Sequence, residues 1–302
     1  MKPIVVVGSI NMDLVSRTER MPVAGETIFG STFQTHTGGK GANQAVAVAR
    51  LGHRSILLGK VGDDIFGREL RDTLSAYGVD MSEVETIPGS SGTASIVVDS
   101  KGENCIIVIP GANLQVTPEY LQSKIHVLRQ AGMVLAQLEV PLETVAYLAQ
   151  ICEELNVPLM LDPAPAQPLD AKTLARIDWF TPNQTEAQFY ADGDDASDRI
   201  LQRFFGFGVK NIILKKGAEG SLIALQDGAH HCINSVAVDA VDTTAAGDAF
   251  NGAYAVALMR GYDARACGDY AAAAAAVSVT RKGAQSSLAS AEEVQQLILA
   301  HQ

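Results

Sequence analysis

The chain has few of the features that identify a protein at a glance. It has four cysteines and one tryptophan in 302 residues. Cys105, Cys152, Cys232 and Cys267 lie far apart with no Cys-x-x-Cys pair, so they read as reduced thiols of a cytoplasmic protein, not a disulfide framework or zinc site. The six histidines have no metal-ligand spacing, His230 and His231 being the only adjacent pair. No uninterrupted apolar run approaches the roughly 20 residues of a bilayer span, and the alanine tract at 271–276 is flanked by Asp269 and Arg281. The opening Met-Lys-Pro enters an apolar run without a basic stretch or cleavage pattern, so a soluble protein with no export signal or membrane partner is expected. Basic residues are scarce: 23 against 34 acidic ones, a net charge of -11. That balance disfavours nucleic acid and anionic membranes, and an anionic ligand would need a locally positive pocket. Two phosphate-binding patterns are missing as well. No Gly-x-x-x-x-Gly-Lys-Ser/Thr loop occurs, which argues against a P-loop NTPase, and Gly8-Ser-Ile-Asn-Met-Asp13 is no Gly-x-Gly-x-x-Gly, which argues against a dinucleotide oxidoreductase.

What remains is a hydrophobic content of 47%, enough to bury a sizeable core. Short β-branched runs at 4–8, 55–61, 133–137, 158–162, 179–181 and 211–215 alternate with helical patterns at 43–51, 65–77, 118–127, 142–155 and 292–300. The alternation predicts an α/β fold with a mostly parallel central sheet flanked by helices. Residues 13–37 and 91–109 break the pattern with extended segments and no helix. They are expected to pair as a small antiparallel sheet outside the main one, a lid or dimer contact inserted in one domain spanning 1–302.

Several segments carry candidate chemistry. In Asp242-Thr-Thr-Ala-Ala-Gly-Asp-Ala-Phe-Asn-Gly252 an extended stretch passes through Ala245, Ala246 and Gly247 into a helix. Small residues there let free backbone N–H groups at a helix N-terminus approach an anion, with Asp248 placed to accept a proton from an incoming hydroxyl. An aspartate favoured by the helix dipole and a tight-turn glycine would look the same. Gly38-Gly-Lys-Gly-Ala-Asn-Gln-Ala45 opens another helix, with Lys40 and Asn43 as donors suited to sugar hydroxyls. Asn11 and Asp13 follow the first strand and Glu139 ends another, where open α/β sheets bind ligands, although turns and caps use the same residues. Asn183 and Glu186 have the spacing of a capping box and equally could hold the water shell of magnesium. The stretch from Lys215 through Gly217 to Gly220 fits a nucleotide loop or a plain hairpin turn.

Together these segments, with Gly62-Asp63-Asp64 and Thr280-Arg-Lys-Gly-Ala-Gln285, resemble the ribokinase-like (PfkB) carbohydrate kinases over nearly the whole chain and in that family's order. The resemblance implies a mostly parallel sheet between helices, with a small sheet that closes on the sugar and builds a homodimer. It implies transfer of the γ-phosphate of MgATP to the 5-hydroxyl of a pentose, D-ribose giving ribose 5-phosphate. Deoxyribose, another sugar or a nucleoside is the alternative, and a non-catalytic sensor that kept the fold is the rival from another class. Matched by position, Asn11, Asp13, Gly39, Lys40, Asn43 and Glu139 resemble sugar-binding residues, Asp248 the base, and Ala245, Ala246 and Gly247 the anion hole. Asn183 and Glu186 resemble the Mg-ATP residues, and Lys215, Gly217 and Gly220 the nucleotide loop. Asp242, Thr244, Ser278, Arg281, Gly283 and Ser287 resemble a site for an activating monovalent cation, potassium. Two residues depart from the family pattern: Lys215 stands for a small hydroxyl residue, and Met12 for the frequent alanine.

Overall fold

The computed structural model describes residues 1–301. Its frame is an eight-stranded sheet in the order His230–Ile233, Ser221–Ala224, Asn211–Lys215, Trp179–Phe180, Leu159–Leu161, Met133–Ala136, Ile4–Val7, Ser55–Leu58. The six strands from Asn211–Lys215 to Ser55–Leu58 run parallel, and the other two add antiparallel hairpins at one edge. Ile4–Val7 shows why the sequence reads as it does. Its four β-branched residues alternate between two separate cores, Ile4 and Val6 in one, Val5 and Val7 in the other. A central parallel strand is covered on both faces, so it is apolar throughout.

Ile4–Val7 lies between Ser55–Leu58 and Met133–Ala136, so the crossovers leave it in opposite directions. The carboxyl ends of strands at such a switch point form a crevice. Residues 8–11, 137–139 and the glycines before helix Lys40–Arg50 gather there.

Three expectations need correction. The run at 55–61 is two strands: Ser55–Leu58 stays in the main sheet, while Lys60–Gly62 pairs with Glu85–Ile87 in a sheet of their own. The break falls at Gly59, whose N–H donates to the Tyr120 hydroxyl at 3.0 Å and whose carbonyl accepts from it at 3.2 Å. The helix at 118–127 is likewise two, Pro118–Ser123 and Ile125–Leu128, separated at Lys124. The small sheet, ordered Gly30–Gly38, Asn11–Thr18, Gly92–Val98, Asn104–Ile109, is mixed and not wholly antiparallel, because its two inner strands run parallel. A parallel pair needs a long crossover, and the chain between these strands first returns through helices Lys40–Arg50 and Ile65–Ala76.

Candidate active site

The crevice is made tight by glycine. Gly39 caps helix Lys40–Arg50 at φ 87°, and a Cβ there would lie 2.7 Å from the Asn11 backbone nitrogen. A Cβ on Gly41 would come within 2.5 Å of the Gly8 carbonyl carbon, so this helix starts against the end of the first strand. The helix begins at Lys40, three residues before the periodic pattern suggested, which puts Lys40, Asn43 and Gln44 all on its opening turns.

Asp248 lies in the first turn of helix Ala246–Met259 and is buried. Ala245 precedes it in the left-handed region at φ 61°, the turn that brings the chain sharply into the helix. The Asp248 carboxylate accepts from Asn43 Nδ2 at 2.9 Å and from Gln44 Nε2 at 3.1 Å. Burial pushes its pKa up to about 6, against the pull of the Lys40 charge. At neutral pH it is therefore ionised yet a stronger base than an exposed aspartate. Burial works against the Lys40 ammonium, but the charges of Asp248, Asp162, Glu139 and Glu186 outweigh it and hold its proton more tightly than usual. The first-turn N–H groups of a helix have no intrahelical partner. Of the residues expected to form an anion hole, Ala246 donates its N–H to the Thr243 carbonyl at 3.2 Å, while Gly247 N–H, like that of the following Asp248, has no backbone acceptor among the described residues.

On the other side of the crevice stand Asn11, Asp13 and Glu139. Glu139 Oε2 accepts from Ser9 Oγ at 2.5 Å and from the Lys40 backbone N–H at 3.3 Å. Asn11 Oδ1 accepts from Asn113 Nδ2 at 2.7 Å. The Asp13 carboxylate has no hydrogen-bond donor among the described residues, and a side chain at Gly38 would collide with it. Burial, then the nearby Glu139 charge, raise its pKa to about 7. Met12, between these two residues, turns away into the core.

Lys215 does not point to solvent. Its Nζ pairs with Asp162 Oδ1 at 2.9 Å, and a Cβ on Gly247 would lie 3.4 Å from that nitrogen, so the ammonium sits beside the open helix N-terminus. Asn183 and Glu186 form a closed capping box: Glu186 Oε2 accepts from the Asn183 backbone at 2.8 Å, Oε1 from its Nδ2 at 2.8 Å, and Asn183 Oδ1 from the Glu186 backbone at 2.9 Å. Burial, then the charge of Asp162, raise the Glu186 pKa. No group of three or more His, Cys, Asp or Glu residues placed to hold a metal ion occurs among the described residues. Gly217 and Gly220 adopt φ 57° and 86° in the turn after Lys215, where Lys216 N–H meets the Gly220 carbonyl at 2.8 Å.

The fold also joins the segments resembling a cation site. Asp242 accepts from Thr244 N–H at 2.9 Å and Thr244 Oγ1 at 2.6 Å, and its other oxygen accepts from Gly283 N–H at 2.9 Å. The side chains of Ser278, Arg281 and Ser287 are engaged elsewhere, with the Ala275 carbonyl, Glu293 and the Ala284 carbonyl.

Among the buried polar residues that escaped the sequence reading are Gln44, Asn113, Asp162 and Gln285. Gln44 bridges Asp248 and Asp162, donating to each at 3.1 Å while accepting from Gln137 at 2.7 Å. Gln44 and Gln285 each lie inside a quoted string, so the signal was present, but partners distant in sequence were needed to read it.

An α/β fold that gathers carboxylates, amides and a free helix N-terminus at its switch point is suited to a small polar molecule carrying an anionic group. The description "pfkB family carbohydrate kinase" matches residues 1–291. A ribokinase of Bacillus subtilis is 40% identical over 99% of this chain and 100% of its own, and a deoxyribokinase of Salmonella typhi is 38% identical over 96% of each. The structure of Arabidopsis thaliana ribokinase complexed with ribose and ATP superposes with a TM-score of 0.93 at 34% identity, covering 98% of both chains. The chain belongs to the pfkB family of carbohydrate kinases.

Proposed function

We propose that this carbohydrate kinase transfers the γ-phosphate of ATP to the 5-hydroxyl of D-ribose, giving ribose 5-phosphate. The observation that carries the reading is the placement of Asp248: a buried carboxylate oriented by Asn43 and Gln44 beside unpaired helix N–H groups. Asp13, Asn11, Lys40, Asn43 and Glu139 hold the sugar, with the donor-free Asp13 carboxylate accepting from its hydroxyls. Asp248 removes the proton of the attacking hydroxyl. The N–H groups of Gly247 and Asp248, with Ala245 and Ala246 shaping the turn, face the charge that develops on the phosphoryl group, and Lys215 adds a cation beside them. The loop through Gly217 and Gly220 supports the nucleotide. Asn183 and Glu186 would hold magnesium through water, and the ion would neutralise phosphate charge. Backbone oxygens around Asp242, Thr244, Ser278, Arg281, Gly283 and Ser287 hold potassium.

A second sugar is favoured by one observation, the similarity to a deoxyribokinase, so 2-deoxyribose is the competing acceptor. ADP release measured on a panel of ribose, deoxyribose, hexoses and nucleosides, with and without potassium, decides between them. Ribose turnover with a stimulation by potassium is expected; turnover of none of the panel would sink the reading.

The proposal extends to the small sheet as a lid over residues 13–37 and 91–109, with its exposed apolar strand Asn104–Ile109 meeting a second copy. Sugar should slow amide exchange in residues 13–37, and Ile107→Asp should convert a dimer to a monomer in sedimentation. A reducing, cytoplasmic setting accords with four free thiols, two of them exposed. No helix among the described residues is long and apolar enough to cross a membrane.

A further inference from the structure

Gln285 occupies a place that neither the sugar nor the nucleotide reading uses. It is 1% exposed and lies in the short 3-10 turn Gln285–Ser287, just beyond the segment tied to Asp242 through Gly283. Its Oε1 accepts from Thr37 Oγ1 at 2.6 Å, near the end of small-sheet strand Gly30–Gly38. Its Nε2 points the other way, donating to the Asn43 Oδ1 at 3.3 Å and to the Gly38 carbonyl at 3.4 Å. Asn43 in turn donates to Asp248. One side chain thus spans three parts of the molecule: the small sheet, the segment at 280–287, and the amide that orients the buried carboxylate.

From this geometry we infer that Gln285 is a positioning residue that couples the small sheet to Asp248 through Asn43. The inference rests on the proposed kinase reaction with Asp248 as base and deepens it. Its physical basis is the fixed polarity of the two amides. Asn43 can donate to Asp248 only if its Oδ1 is turned away, and that oxygen is then buried and needs a donor, which Gln285 supplies. Gln285 can present Nε2 to Asn43 only while Oε1 faces a donor, and Thr37 is that donor. A small sheet that swings away takes the Thr37 hydroxyl with it, and the amide pair loses the constraint that keeps Asn43 on the carboxylate. Proton removal is thereby favoured when the sheet is in place.

The chain of bonds makes a pH signature available. The Asn43 hydrogen bond holds Asp248 down, opposing burial and the nearby Asp162, while Lys40 and Gln44 act in the same downward sense. Lys215, beside Gly247, is the remaining charge near that turn. Loosening Asn43 alone therefore raises the pKa of Asp248, and the acid limb of the kcat profile moves to higher pH.

The test uses the full-length enzyme with its best sugar from the panel. Thr37→Val removes the hydroxyl while keeping the shape, Thr37→Ser keeps the hydroxyl, and Gln285→Leu removes both arms. Expected for Thr37→Val and for Gln285→Leu is a kcat lower by about tenfold, the usual scale for a buried hydrogen bond, with an acid limb shifted upward and an unchanged KM for ATP. Thr37→Ser should behave as the parent. Adding Thr37→Val to Gln285→Leu should cost less than the product of the two single losses, because both cut one path. Thermal melts accompany each variant, and if Gln285→Leu fails to fold, Thr37→Val and Thr37→Ser decide alone. Parent-like kinetics in Thr37→Val, or losses with an unmoved pH profile or equal losses in ATP affinity, would overturn the coupling. An inactive parent enzyme would instead overturn the kinase reading itself, so the two failures are distinguishable.

Discussion

Two strands of nearly the same character lead opposite lives in this molecule. Ile4–Val7 reads Ile-Val-Val-Val and is at most 1% exposed, while residues 106–109 read Ile-Ile-Val-Ile and are 48–61% exposed. The first is sandwiched between helix layers, the second forms the outer edge of a four-stranded sheet and lies exposed among the described residues. The difference teaches that β-branched composition specifies extended backbone but not burial, which depends on what the topology packs against each face. It also separates two kinds of apolar surface: one buried in the core, and one left exposed.

The sharpest way to test the division of labour is to remove chemistry from the buried region without removing its packing. Asp248→Asn should lower kcat by about 10²–10⁴ if this carboxylate is the general base, while the far-ultraviolet dichroism stays that of the parent. Retained turnover would end the assignment. The next largest effect should come from cavity formation in the main sheet. Leu57→Ala, at a fully buried position, is expected to cost about 2–5 kcal/mol in denaturant unfolding. At the other end of the comparison Ile107→Ser, measured in dilute monomer, should change stability by no more than about 0.5 kcal/mol. Equal losses at the two sites would show that the small sheet is as much a part of the core as the large one.

Between these lies a pH effect. Asp13 has an ordinary value of 3.8 and rises to about 7 in the fold. A carboxyl raised on folding favours the folded state at low pH, and this contribution is lost as pH rises through the folded value. Asp248 has the same sign, its contribution being lost between the ordinary value of 3.8 and the folded value of about 6. Melting temperature from these groups should therefore fall between about pH 4 and 7, and Asp13→Asn should flatten that fall. An unchanged slope would show that burial does not set the proton affinity of Asp13. For activity the sign is reversed at Asp248, since the base works deprotonated: kcat should drop as pH falls below about 6.

Much of the site was legible before any coordinates. The run into helix Ala246–Met259 announces a helix N-terminus with an acid in its first turn, and the glycines before Lys40 announce a close backbone approach. Those are local facts, written in small residues because side chains would not fit. Asn183 and Glu186 were readable in two ways, as a capping box or as holders of the water shell of magnesium, and the structure shows the capping box, set beside the buried Asp162 charge. The direction of Lys215 was illegible, since its partner Asp162 lies just past the end of another strand and its neighbour Gly247 on a distant helix. Gly59 likewise looked like a residue within one strand, because the Tyr120 hydroxyl that holds the break approaches from a remote helix.

By itself the sequence determined the alternation of strands and helices, the turns only glycine can make, and the family. Those depend on periodicity, φ and local sterics, which act within a few residues. Tertiary structure alone decided which polar groups meet: Asn43 with Asp248, Lys215 with Asp162, Thr37 with Gln285. Burial leaves each of these groups needing a partner, and which partner arrives is set by packing between segments up to 248 residues apart.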